Sequence, residues 1–128
     1  PKNWKIIPLK DITQARLIDT LGRSKIFLSF SNLEGIGIPP IEAALSGNKV
    51  IGYIGGGGIE YWKEPIFTKV ENGEIRDFGQ KILSYISQNN KNWIKKTSNQ
   101  RHKLALKYSK QEEINSLIKM TNRISKLF

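Results

Sequence analysis

Residues 25–53, KIFLSFSNLEGIGIPPIEAALSGNKVIGY, decide the fold of this chain. Lys25-Ile26-Phe27-Leu28-Ser29-Phe30 is β-branched and aromatic and reads as a buried strand. A loop from Ser31 to Ile38 leads to Pro39-Pro40, and proline is tolerated in the first turn of a helix. Ile41 to Leu45 then reads as a short helix ended by Gly47. Lys49-Val50-Ile51-Gly52-Tyr53 is the next strand. Strands that are almost continuously apolar, joined by a short helix, imply parallel βαβ packing with both sheet faces covered.

The same alternation extends outward. Upstream lies the apolar-rich run Trp4-Lys5-Ile6-Ile7-Pro8-Leu9. Asp11 or Thr13 then caps a helix that carries Ala15, Leu17, Ile18 and Leu21 and stops at Gly22. Downstream come the glycine run Gly55-Gly56-Gly57-Gly58, a strand over Phe67 to Glu71 and a turn at Asn72-Gly73. Beyond this the period becomes helical. Ile75, Phe78, Ile82, Leu83 and Ile86 fall at 3.6 spacing, as do Ile114, Leu117, Ile118 and Ile124. Three helices are expected, at about 75–89, 91–109 and 111–127. The fold class is therefore α/β: a Rossmann-like parallel sheet with flanking helices and a helical C-terminal tail. Residues 1–128 read as one domain, with an α/β core over 1–77 and a basic tail over 78–128.

Composition removes several function classes. The chain has no cysteine, which excludes disulfides and thiolate chemistry and fits a reducing compartment, so a cytoplasmic location is expected. One histidine, His102, excludes multi-histidine metal sites and reads as an exposed helix residue. No leader pattern is read at the N-terminus, and no apolar run reaches the ~18 residues a membrane span needs. The formal net charge is +10, unevenly spread. Residues 1–77 hold 10 Lys/Arg against 9 Asp/Glu, whereas 78–128 hold 11 Lys/Arg against Glu112 and Glu113 alone. The basicity belongs to the tail and need not describe what the core binds.

In parallel α/β sheets, ligands bind outside the carboxyl ends of the strands. The loops after Phe30 and after Tyr53 lie there. Glu34 sits in the first loop and Glu42 in the opening turns of the helix that follows. Gly35 and Gly37 let backbone approach a ligand closely, and the helix N-terminus adds positive partial charge. A carboxylate can accept from two neighbouring hydroxyls, so this pair suits a polyhydroxylated ligand. The bland alternative is a strand-to-helix turn with Glu42 on a solvated helix face. Two rival motifs fail: Pro40 stands where a dinucleotide fingerprint needs its third glycine, and no Gly-Lys-Ser/Thr follows the glycine run.

The segment Glu-Gly-x-Gly-x-Pro-x-x-Glu-Ala, with Gly47, Val50-Ile51, a glycine cluster and Glu60 behind it, resembles the donor-binding half of GT-B glycosyltransferases of the family-4 type. The resemblance runs from about Pro8 to Ile82 and is specific between Ser31 and Glu60. In that family a Glu-x7-Glu pair marks the nucleotide-sugar site; here the pair is Glu34 and Glu42. The resemblance implies that Glu42 accepts the ribose hydroxyls and that Glu34 faces the donor sugar near the reaction centre, the catalytic position. It implies that backbone at Gly35, Ile36, Gly37 and Ile38 contacts sugar or diphosphate. It further implies a retaining transfer to a hydroxyl acceptor, such as a growing polysaccharide, lipopolysaccharide or lipid-linked glycan, with no metal and no other cofactor. Acceptor recognition would fall to an N-terminal domain absent from this chain, which begins at Pro1 rather than Met. The family's Arg/Lys pair for the diphosphate has no match in residues 1–30, so this fragment alone is not expected to catalyse. Ile36 replaces the usual aromatic residue, and Gly55–Gly58 is longer than the usual pair. Gly56, Gly57, Gly58 and Glu60 form either a sugar or acceptor loop or a plain surface turn.

In the tail, Trp93, Lys95, Lys96, Arg101, Lys103, Lys107, Tyr108 and Lys110 interleave aromatics with cations. One reading packs an apolar stripe of Ile94, Leu104 and Leu106 on the sheet and leaves the lysines in water. A second is attraction to an anionic membrane, which would place the protein on the inner face near a lipid-linked acceptor. Nucleic acid is the less favoured partner. The alternative to a transferase domain is a non-catalytic basic module that binds nucleic acid or membrane on a Rossmann-like scaffold.

Overall fold

The computed structural model describes residues 3–31 and 38–109, together with positions 115, 118, 119, 122, 123 and 126. The elements run α1 (Gln14–Arg23), β1 (Ile26–Ser29), α2 (Ile38–Leu45), β2 (Lys49–Gly52), a 3-10 turn (Gly57–Glu60), β3 (Phe67–Lys69), α3 (Ile75–Ser87), α4 (Trp93–Lys96) and α5 (Ser98–Lys107). Among the described residues the sheet has three parallel strands in the order β1-β2-β3. Phe27 lies opposite Val50, and Val50 opposite Phe67. This is the Rossmann-like half-domain that the apolar strands and intervening helix imply.

Local chemistry explains the element ends. Thr13, not Asp11, caps α1: its hydroxyl accepts from the Arg16 amide at 3.2 Å. The helix does not stop at Gly22 but runs on to Arg23, where the Ser24 amide closes on the Leu21 carbonyl at 3.2 Å. A glycine ends a helix by taking a left-handed conformation, and Gly22 does not take one. Gly47 does, at φ +98°. There the Asn48 amide bonds the Ala43 carbonyl and the Gly47 amide bonds the Ala44 carbonyl, both at 3.0 Å, which is the Schellman closure.

Successive residues of β2 face opposite sides, so two cores form. Val50 points into one with Leu21, Ile41, Ala44, Phe67 and Leu104, under α1, α2 and α5. Ile51 points into the other with Tyr53, Val70, Phe78 and Tyr85, under α3. Each fully buried large side chain contributes roughly 1.5–3 kcal/mol. Asn48 is wholly buried between the helix ends, its amide nitrogen donating to the Leu21 carbonyl at 2.8 Å and the Ala43 carbonyl at 3.1 Å.

Three expectations need correction. The run Trp4–Leu9 forms no strand; it lies exposed, with Ile6 84% accessible. Pro8 removes a ladder donor there, and no described strand pairs with it. The helix expected over 91–109 breaks at Thr97, whose hydroxyl donates back to the Trp93 carbonyl at 2.7 Å. Of its apolar stripe only Leu104 is buried, while Ile94 and Leu106 are 57% and 59% exposed. The remaining helix, at 111–127, lies outside the described residues except at positions 115, 118, 119, 122, 123 and 126, which are helical.

Candidate functional site

At the carboxyl edge of the sheet, β1 and β2 converge. The Tyr53 amide donates to the Ser29 carbonyl at 2.9 Å. Gly52, at φ +152°, lies so close that a Cβ there would sit 2.0 Å from the Ser29 carbonyl oxygen. Only glycine fits this junction. Just beyond it Phe30 stacks on Phe78 with centroids 4.7 Å apart, and Tyr53 meets both rings edge-on. This aromatic triangle roofs one core at the edge where a ligand would enter.

α2 starts at this same edge because the chain must turn back after β1. Pro39 and Pro40 occupy its first turn, where their missing N–H groups are no loss. Ile38 supplies the first helical residue. Glu42 follows one turn in, half-buried, and its carboxylate accepts a 3.3 Å hydrogen bond from the Gln14 side-chain amide. Gln14 begins α1, so the openings of both helices meet at Glu42. That contact is exposed and long, which leaves the carboxylate free to exchange it for a ligand hydroxyl. Glu34, Gly35, Ile36 and Gly37 lie outside the described residues.

The glycine run is ordered by its neighbours. Gly55 and Gly56 turn the chain with φ of +73° and +84°, and Gly57, Gly58 and Glu60 belong to the 3-10 turn. Glu60 does not face Gln14 or Glu42 through any contact among the described residues; it turns to α5. Lys107 Nζ lies 3.3 Å from its carboxylate, and the Tyr108 hydroxyl donates to it at 3.5 Å. Tyr108 also packs edge-on against Tyr61. Arg101 turns inward as well, donating from Nε to the Ala44 carbonyl at 3.1 Å and from a terminal nitrogen to the Thr97 hydroxyl at 2.5 Å. Burial holds its guanidinium below the usual arginine value. Lys95, Lys96 and Lys103 stay exposed, and so does His102.

Gln14 and the Phe30–Phe78 stack carry no sequence motif, because each pairing joins elements far apart in the chain. Among the described residues no group of three His, Asp or Glu side chains is placed to hold a metal ion, and no helix is long and apolar enough to cross a membrane. Comparison of the chain with protein-family models, curated proteins and solved structures finds no match.

Proposed function

We propose that the chain is the nucleotide-diphospho-sugar-binding domain of a retaining glycosyltransferase. The observation that supports this is Glu42: a half-buried carboxylate one turn into a proline-initiated helix, at the carboxyl edge of a parallel sheet, with only a weak exposed partner. Ligands of such sheets bind at that edge. In this reading Glu42 accepts both ribose hydroxyls of the donor. The α2 N-terminus stabilises negative charge on the diphosphate as it leaves, a service that needs no metal. Glu34 attends the anomeric carbon. The bond from that carbon to the diphosphate breaks, a bond to the acceptor oxygen forms, and the acceptor hydroxyl's proton passes to the departing diphosphate. The acceptor, a polysaccharide or lipid-linked glycan, is held by a further domain at the inner face of a membrane.

The rival reading, a basic module for nucleic acid or membrane, counts on the tail cations. Two of them are spent internally: Arg101 on helix carbonyls and Lys107 on Glu60.

The test is an NMR titration with UDP, GDP, dTDP and ADP, on the parent chain and on Glu42→Ala. Saturable shifts at residues 38–42 and 55–60 for one nucleotide, lost in the variant, are expected. Shifts that survive Glu42→Ala, or none with any nucleotide, would overturn the proposal.

A further inference from the structure

The opposite, amino-terminal edge of the sheet carries a cavity of about 330 Å³ between the start of β2, the C-terminal half of α3 and α4. That is the lower range of small-molecule pockets. Its charged lining is Lys49, Lys81, Lys96 and Glu64, and its aromatic walls are Tyr85 and Trp93.

Lys49 is 92% withdrawn from solvent, its side chain only 8% accessible. Its ammonium bonds the Pro65 carbonyl and pairs with Glu64 at 3.1 Å, and it lies 5.8 Å from the Tyr85 centroid and 5.7 Å from that of Trp93. Burial pulls it below the usual lysine value, against the hydrogen bond and charge of Glu64. Lys81 is held by Asp77 at 2.8 Å and by the Lys69 carbonyl at 2.7 Å. Counting Asp77 behind the wall, three ammonium groups face two carboxylates, so the cavity retains one surplus positive charge, nearest Lys96.

Tyr85 supplies the second observation. It is 7% exposed as a residue, and it lines the cavity. A phenol on a cavity wall can donate to or accept from an occupant's hydroxyl. Trp93 is a fixed wall: its indole N–H donates to the Gly47 carbonyl at 2.9 Å and its ring meets Tyr85 edge-on at 5.3 Å. Around the mouth stand the amides of Gln88 and Asn92 and the hydroxyls of Thr68 and Ser84.

From this arrangement we infer a second ligand site, for a sugar-sized polyhydroxylated anion bearing one acidic group, carboxylate or phosphate. The acidic group meets Lys96, a ring hydroxyl accepts from or donates to the Tyr85 phenol, the apolar ring face lies on Trp93, and the remaining hydroxyls exchange bonds with the amide rim. The site is at the far edge of the sheet from Glu42, so it stands or falls independently of the nucleotide site.

The test is an NMR titration with glucuronate and with glucose 6-phosphate, using glucose and inorganic phosphate as controls. Expected are saturable shifts at residues 85–96 with a dissociation constant on the order of 1 mM or tighter for at least one charged sugar. Whichever acid binds identifies the acidic group. Tyr85→Phe, which keeps the ring, and Lys96→Ala, at an exposed position, should each weaken binding about tenfold while leaving the circular dichroism unchanged. No saturable binding by either acid would overturn the inference. So would binding of inorganic phosphate as tight as that of the sugar acids, or affinity indifferent to both substitutions.

Discussion

Asn48→Asp tests how the two helix ends are joined. Asn48 is fully buried and its amide nitrogen donates to the carbonyls of Leu21 and Ala43, while its side-chain oxygen has no partner among the described residues. An aspartate of the same shape would present oxygen to two carbonyl oxygens. As an anion it is repelled, so the folded chain keeps it protonated, able to donate one bond in place of two. Losing one bond costs about 1 kcal/mol. Holding a carboxyl protonated at pH 7, about three units above its ordinary pKa of ~3.9, costs about 4 kcal/mol at ~1.36 kcal/mol per unit. The variant should therefore lose about 5 kcal/mol at pH 7 and only about 1 kcal/mol near pH 4. The sign follows from linkage: a carboxyl whose folded pKa is raised removes stability as pH climbs above its unfolded pKa. Urea unfolding of both proteins between pH 4 and 7, read by far-ultraviolet circular dichroism, gives the difference. A loss that does not change with pH, or one under about 1 kcal/mol at pH 7, would refute the two bonds that the Asn48 amide nitrogen donates to the helix-end carbonyls.

Three further substitutions test the close approach of β1 and β2 and the charge of Lys49. Gly52→Ala should destabilise by at least about 3 kcal/mol, because its Cβ would meet the Ser29 carbonyl, whereas Gly22→Ala, in open space within α1, should stabilise by roughly 0.5–1 kcal/mol; equal thermal midpoints for the two would refute the close approach of β1 and β2. Lys49→Met should cost little at pH 7, because Glu64 is 66% exposed and rehydrates. In the parent chain the lowered pKa of Lys49 makes the unfolded state bind more protons from that pKa up to 10.5, so stability gains with rising pH over that window. The gain should be missing in the variant. Burial raises the Tyr85 pKa and works in the opposite sense above about 10, so the comparison is made below that pH. Parallel pH profiles for parent and variant would refute the assignment.

The sheet was legible because β1 and β2 are continuous apolar runs and because Pro39-Pro40 marks a helix start that few other structures tolerate. Glu42 was legible for the same reason: its distance from the prolines fixes which turn it occupies. Its partner Gln14 was not, since nothing local tells which helix openings meet. The tail misled in a physical way. Periodicity runs through Thr97 without a signal, yet Thr97 and Arg101 satisfy one another and the carbonyl of Ala44, and that exchange breaks the helix. Periodicity likewise marked Ile94 and Leu106 as core, but of the three only Leu104 is buried. The amino-terminal cavity had no motif at all, because its walls come from β2, α3 and α4, elements far apart in the chain.

The short sheet divides the interior into two small cores. Trp93 packs against both, reaching round the amino-terminal edge of β2. The layers above and below the sheet therefore cannot melt separately while that indole stays in place. The chain should unfold as a single cooperative unit, and loosening this one ring should split the transition in two.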